Sequence, residues 1–532
     1  MDDDRRLIHE IGEWDEMRAR FRWRIPPAFN IAEACSASWA RAEPGRTALI
    51  HVGDGEVARW SYGALDEAAA RFAGALGATG IGRGDRVAVL LSQSPETLIA
   101  HLGALRLGAV SLPLFTLFGE DALAFRLRDS GARAAVTDAA NLDRLLALDT
   151  PDLQAVWCTG PGRARSFSED IQTARPARMA PTAADDPAML IYTSGTTGSP
   201  KGALHAHRFL LGHLPAMELH HEGFPRPGDV GWTPADWAWI GGLMDMAMPC
   251  LYHGVPLVSR RFPKFDPEAA WRLVADQGLR NLFLPPTALK LMRQAAVPKG
   301  VRVRSISSGG ESLGDDLREW GRTALGAPVN EIYGQTECNL VVCSTAASQR
   351  PRAMGRAVPG HEVAIIAPDG TPSADGDTGE IAVARPDPVM FLGYWNQPEK
   401  TAEKFAGRWL RTGDLGRRDA DGFFSYVARD DDVITSSGYR IGPSEIEHCL
   451  MGHPNVVMAA VVGVPDPERT EIVVAYVVLR GAAERDDLET DLIDRVRRKV
   501  GPYLAPKRIV RVTELPMTPT GKVLRRELRD RG

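Results

Sequence analysis

The sequence predicts an α/β protein: a large N-terminal domain of layered parallel sheets and helices with a β-rich subdomain, followed by a small α+β C-terminal domain. Three observations lead there. From about residue 30, short apolar runs alternate with longer helical stretches, the rhythm of parallel strands joined by helices. Near 360–428 that rhythm gives way to short strands joined by Gly/Asp turns. Beyond the polar, turn-rich segment 428–440, the C-terminal stretch carries its own set of helices and strands.

Taken in order, "RVAVLLS" (86–92) reads as a buried strand, "PETLIAHLGALRLGA" (95–109) as the helix after it, and "AVSLPL" (109–114) as the next strand. "PAMLIY" (187–192) has the composition of a buried strand, and "ALHAHRFLLGHL" (203–214) that of a helix. "LRNLFLPPTALKLMRQ" and "VRSISSGGESLGDDLREW" repeat the strand–loop–helix unit. "EVAIIAPDG", "GEIAVARP" and "GFFSYVAR" are the short strands of the β-rich region. At the end, "SEIEHCLMGHP" and "DLETDLIDRVRRKV" read as helices, while "VVMAAVVGVP", "EIVVAYVVLRG" and "KRIVRVTEL" read as strands.

A chain of 532 residues suggests roughly three or four folding units. With 44% hydrophobic and 25% charged residues, disorder is excluded as the general state. The net charge of −5 comes without a large basic block, so no nucleic-acid surface is expected. "RVRRK" (495–499), the densest basic cluster, reads as one solvated helix face. No apolar run is long enough for a membrane span, and "MDDDRRLIHE" has no secretory pattern. Six cysteines without a C-x-x-C fit reduced thiols in a cytoplasmic protein; Cys338 and Cys343 are expected in the core. His205, His207, His213, His220 and His221 lack a zinc spacing and are placed on a helix and its end. No G-x-S-x-G elbow supports a serine hydrolase.

"YTSGTTGSPKG" (192–202) has the ingredients of a phosphate loop. Glycines let backbone N–H groups approach an anion, hydroxyls add donors, and Lys201 adds charge. It is not the G-x-x-x-x-G-K-[ST] loop, because Lys201 follows Pro200 and precedes Gly202. The flanks place it on a strand–loop–helix corner.

Five further windows follow in one order: "SSGGES" (307–312), "YGQTE" (333–337), "RTGDLG" (411–416), "ARDDDVITSSGYRIGPSEIE" (428–447) and "PMTPTGK" (516–522). With the loop, they make the chain resemble the adenylate-forming superfamily of acyl-CoA synthetases, adenylation domains and luciferases, from about residue 30 to 526. "YGQTE" and the long window look most like the medium-chain acyl-CoA synthetase branch. Ala428 departs from the glycine more common there.

The resemblance implies ATP, Mg2+ and CoA, with a carboxylate attacking the α-phosphate and a thiol then displacing AMP. Thr193, Ser194, Gly195, Thr196, Thr197, Gly198 and Lys201 would wrap the outer phosphates. Gly310, Glu311 and Ser312 would flank adenine, Tyr333 would stack on it, and Gly334 and Gln335 belong to the same nucleotide-binding stretch. Thr336 would bond the α-phosphate, Glu337 would hold Mg2+, and Asp414 would bond both ribose hydroxyls. Arg429 would lie beside ribose and phosphate, Arg440 near the α-phosphate. Lys522 would neutralise charge where acid and phosphate meet. The family pattern divides the chain at 1–430 and 431–532, with Asp431 as the hinge of a mobile C-terminal domain. Ser437, Gly438 and Tyr439 would line the pantetheine channel, with Arg469 and Lys507 at the nucleotide end of CoA. "PMTPTGK" also resembles a site that lysine acetyltransferases modify and deacetylases restore.

Trp239, Ile240 and Gly241 match the wall of the family's acyl pocket, together with Gly309 and Gly334. Three glycines there suggest room for more than two carbons, although glycine also serves backbone geometry. A buried ammonium would need a carboxylate, and Asp236 is the candidate nearby. An aliphatic or aryl acid is therefore expected rather than an amino acid. The alternatives are an acetate or propionate ligase, a stand-alone enzyme loading a carrier protein, and an inactive nucleotide-binding protein.

Overall fold

Two large sheets organise most of the chain and a third forms the C-terminal part. The computed structural model describes residues 5–53, 55–193, 200–311, 313–429, 432–436, 439–466, 470–480, 487–502, 504–518 and 521–531. The eight-stranded sheet runs, edge to edge, Gly393–Tyr394, Lys201–Ala206, Pro187–Thr193, Val110–Pro113, Arg86–Leu90, Ala134–Thr137, Ala155–Cys158 and Arg165–Ser166. Its strands from Pro187–Thr193 onward are parallel. Val110–Pro113 is buried at every position, so both faces are covered and the strand reads as an apolar run without alternation. Helix Pro95–Arg106 starts where Ser94 accepts the Thr97 N–H and proline takes the first turn, a start that leaves fewer orphan donors.

In the 14-stranded sheet, Thr47–Val52, Leu257–Ser259, Gly231–Trp232, Asn281–Phe283, Ser305–Gly309 and Val329–Gln335 are successive parallel neighbours. After Gln335 a tight turn sends Cys338–Cys343 back antiparallel. Gly355–Ala357, Phe423–Arg429, Trp409–Arg418, Thr378–Ala384 and Val363–Ile366 then add on antiparallel. The expected β-rich region is therefore real, and it extends the parallel sheet.

One expectation is corrected at the glycine-rich loop. Lys201–Ala206 is a strand, antiparallel to Pro187–Thr193, and the helix begins only at Phe209. The two strands flanking the loop pair with each other, so its C-terminal flank is a strand and not the expected helix. Both neighbours of Lys201–Ala206 pair with it and most of its side chains are buried, so the two-residue alternation of a half-exposed strand is absent.

The C-terminal sheet joins Tyr439–Ile441, Ile434–Ser436, Thr470–Leu479 and Val456–Asp466, with Arg508–Val512 parallel to Thr470–Leu479. Helices Pro443–Met451 and Leu488–Lys499 share a core with it through Ile446, Leu450, Leu492 and Val496. The α+β expectation holds. The three basic residues 497–499 are exposed in the last turn of their helix, where cations oppose the helix dipole. Among the described residues no helix is long and apolar enough to cross a membrane. All six cysteines are free, and Cys338 and Cys343 are buried.

Candidate functional site

Strands Ser305–Gly309 and Val329–Gln335 are parallel neighbours, so their C-terminal ends open at one edge, the usual location of ligand sites in such sheets. The first delivers Gly310 and Glu311, the second Tyr333 through Glu337. Gly310 has φ +93°, a left-handed conformation that glycine adopts without strain.

Asp414 is the centre of this edge. It is buried, and its Oδ2 accepts hydrogen bonds from the Tyr333 hydroxyl at 2.8 Å and from Gln335 Nε2 at 2.5 Å. Arg429, paired across the Trp409–Arg418 and Phe423–Arg429 strands, sets Nη1 3.6 Å from Oδ1. Gln335 Nε2 also donates to the Thr412 carbonyl at 2.9 Å. The carboxylate is thus fixed from two sides. Burial, then the Asp414 charge, push the Tyr333 phenol well above its ordinary pKa, so it stays a donor.

Glu337, also buried, receives the hydroxyl of Tyr394 on Oε1. The Tyr394 ring in turn lies 5.1 Å from the Lys201 ammonium, measured to the ring centroid. Thr336 occupies the turn beside Glu337. Thr193 Oγ1 donates to the Lys201 carbonyl at 3.4 Å, where the hairpin approaches its loop.

Lys522 comes to the same edge from the C-terminal part. Thr518 and Lys522 close a small turn, Thr518 N–H to the Lys522 carbonyl at 2.7 Å and Lys522 N–H to Thr518 Oγ1 at 3.0 Å. Gly521 there has φ +83°. Lys522 Cε lies 3.9 Å from the position a Cβ on Gly310 would take. Lys522 is exposed as a residue, while burial around its charged end, then Arg429, lower its pKa; Asp414, Glu311 and Glu337 pull it back up.

Beside Lys522 a cavity of about 270 Å³ is lined by Trp239, Phe115, Phe262 and Leu291, with Arg260 and Arg261 also in its wall. Gly521 lines it too. The Trp239 indole covers Gly241 and Gly310, lying 2.9 Å and 3.2 Å from where their Cβ atoms would be. Ile240 is buried next to it. Asp236 also lines the cavity; burial pushes its carboxyl up to about 6, against the Ala238 N–H that it accepts.

Gly334 is closely surrounded, whereas Gly309 lines a small cavity with Trp239 and Lys522. A Cβ on Gly334 would lie 2.3 Å from Leu340 N and 2.9 Å from Asn339 Cα, and one on Gly309 would lie 2.6 Å from the Ile332 carbonyl oxygen. At Gly334 the nearest atoms are backbone; at Gly309 the nearest is the Ile332 side chain, Cγ1 at 2.5 Å. Behind Gly334, Asn339 Nδ2 donates to buried Asp245, whose carboxyl is raised by burial.

Ser194, Gly195, Thr196, Thr197, Gly198, Ser312, Asp431, Ser437, Gly438 and Arg469 lie outside the described residues, as do the side chains of Tyr439 and Arg440. Lys507 is exposed, its N–H on the Val473 carbonyl. Of the histidines, His213 and His220 are on helix Phe209–His220, His221 caps it, His205 is on a strand, and His207 lies between. Burial holds all five below the usual imidazole range. Among the described residues no three His, Cys, Asp or Glu side chains form a metal cluster. Sequence reasoning missed Tyr394 and the cavity wall at Phe115, Arg260 and Phe262. Nothing in "FLGYWN" announces a contact with a glutamate 57 residues away.

The AMP-binding enzyme family matches residues 36–395, and the AMP-binding enzyme C-terminal domain matches 445–522. The chain is 33% identical to acyl-coenzyme A synthetase ACSM2, mitochondrial, of Rattus norvegicus, over 95% of this chain and 92% of that protein. Its fold is similar to a Brucella canis acyl-CoA synthetase (TM-score 0.76, 32% identity, 98% of this chain and 99% of that one). It is also similar to the anthranilate CoA ligase AuaEII in complex with anthranoyl-AMP (TM-score 0.87, 25% identity, 95% and 98%).

Proposed function

The chain belongs to the AMP-binding enzyme family, and from that premise we propose that it is an AMP-forming acyl-CoA ligase. A carboxylic acid, ATP and CoA become acyl-CoA, AMP and diphosphate through an acyl-adenylate; the acid is medium-chain, branched or aryl. One observation carries the reading: Lys522, from the C-terminal part, stands at the strand edge where Gly310, Glu337 and Asp414 converge.

In this reading Asp414, held by Tyr333 and Gln335, accepts both ribose hydroxyls. Fixing the carboxylate before ATP arrives removes reorganisation from the binding step. Gly310 and Glu311 flank adenine, Arg429 and Thr336 face the phosphates, and Thr193 and Lys201 anchor the phosphate loop. Lys522 offsets the charge that accumulates as the acid's carboxylate reaches the α-phosphate. Glu337 suits Mg2+, which takes one or two carboxylates plus phosphate oxygens in place of a protein cage. When bound, the ion neutralises phosphate charge.

We assign the cavity of about 270 Å³ to the arm of CoA: apolar walls fit an uncharged chain, and Arg260 and Arg261 fit its phosphates. Gly521 is part of that cavity's wall, so withdrawal of the Lys522 loop would widen it for the thiol. The same reading divides the chain at 1–430 and 431–532, with Asp431 as the hinge. The acid approaches along Trp239, Ile240 and Gly241. Acetylation of Lys522 would remove its charge and belongs to the same reading; mass spectrometry after incubation with a protein acetyltransferase and acetyl-CoA tests that. A cytoplasmic location belongs to the same reading and rests on the free thiols. The test of the reading is ATP–diphosphate exchange without CoA, across acids from acetate to dodecanoate plus benzoate. No acid-dependent exchange would overturn it.

A further inference from the structure

The segment 390–395 links the two large sheets at the site. On one side, Met390 bridges Cys338 and the Phe391 N–H donates to the Glu337 carbonyl at 2.9 Å. On the other, Gly393–Tyr394 pairs antiparallel with Leu204 and Ala203, flanked by Leu392 N–H to the Leu204 carbonyl and Trp395 N–H to the Gly202 carbonyl, both at 2.7 Å. Tyr394 itself is pinned by its N–H on Thr401 Oγ1 at 2.9 Å and is 7% exposed. Its side chain repeats the bridge: the hydroxyl is on Glu337, and the ring carries Lys201. Two charged groups from two different sheets meet on one phenol.

We propose that Tyr394 is a positioning residue for the first half-reaction. Its hydroxyl holds one oxygen of Glu337 and leaves the second for the cation. Its ring seats Lys201, so the metal-binding carboxylate and the phosphate-loop lysine keep a fixed spacing. The inference rests on the reading of Glu337 as the Mg2+ ligand in an ATP complex. The phenol touches no reacting atom; it acts through its two neighbours. Partners of this kind, one bond removed from a metal ligand, typically govern about 10–100-fold in affinity.

The experiment is an electron-paramagnetic-resonance titration of Mn2+ into the full chain with α,β-methylene-ATP, whose α–β link cannot be cleaved. Tyr394→Phe keeps the ring and removes only the hydroxyl. Its Mn2+ dissociation constant should rise about tenfold or more, while its melting temperature and its metal-free nucleotide affinity stay close to those of the unchanged chain. Tyr394→Leu should lose a further factor of about three in adenylate formation, the size of a partly exposed cation–π contact. Because Tyr394 acts through Glu337, the Glu337→Gln/Tyr394→Phe double variant should bind Mn2+ no more weakly than Glu337→Gln alone. Equal Mn2+ affinity in Tyr394→Phe and the unchanged chain, or additive losses in the double variant, would overturn the proposal. If the unchanged chain took up no Mn2+ with the analogue, the reading of Glu337 beneath it would fail as well.

Discussion

Gly334→Ala separates the two roles that a glycine at this position can have. The new Cβ would lie 2.3 Å from Leu340 N and 2.9 Å from Asn339 Cα and Oδ1. Those first two contacts are backbone, so the strand pair 329–335 and 338–343 must spread. Overpacking of this kind costs about 1–3 kcal/mol. Gly334 lies between Tyr333 and Gln335, the two residues whose side chains bond Asp414. A hydrogen bond to a charged group is worth about 1.5–3 kcal/mol, so misplacing one should lower kcat/KM for ATP by about 10–100-fold. Acid selectivity should not move. An acid with four more methylenes than acetate gains about 3 kcal/mol at ~0.8 kcal/mol each, on the order of a hundredfold, wherever its chain binds. The assay is ATP–diphosphate exchange with hexanoate and with acetate over a range of ATP concentrations. If the hexanoate-to-acetate ratio collapses while the ATP dependence is unchanged, Gly334 lines the acyl pocket and this reasoning is wrong.

Lys522→Ala should nearly abolish adenylate formation yet leave conversion of supplied acyl-adenylate and CoA largely intact; equal loss in both assays would contradict the proposed withdrawal of its loop. Arg260→Ala/Arg261→Ala should raise KM for CoA about tenfold, the value of one charge-assisted contact, with a steeper effect at low salt and no change in exchange without CoA. Asp236 gives a pH prediction. Its folded-state pKa of about 6 lies above its ordinary value of 3.8, so the folded chain binds the extra proton between those limits. Stability is fully present below about pH 4 and falls as pH rises through 6, by no more than about 3 kcal/mol. Asp236→Asn should flatten that slope in denaturant melts; an unchanged slope would rule the group out as its source.

The alternating architecture was legible because buried parallel strands such as 86–90 and 110–113 leave apolar runs bounded by helix starts like Ser94-Pro95. The strand Lys201–Ala206 was not, since its alanines, histidine and leucine suit a helix equally and covered faces erase the alternation. Asp414, Glu337 and Lys522 could be named from their windows, and the structure brings all three to one edge. The role of Gly309 and Gly334 was not legible, because a missing Cβ records either open room or a close neighbour. Tyr394 left no trace: its importance comes from a fold that places it between two sheets.

As an acyl-CoA ligase, this chain joins an acid to CoA as ATP is cleaved to AMP. Incubating it with ATP, Mg2+, CoA and the acid most active in exchange tests that directly, with products resolved by chromatography and mass spectrometry. Acyl-CoA, AMP and diphosphate should form in equal amounts, with AMP release dependent on CoA. Formation of ADP and phosphate, or AMP release that ignores CoA, would contradict it.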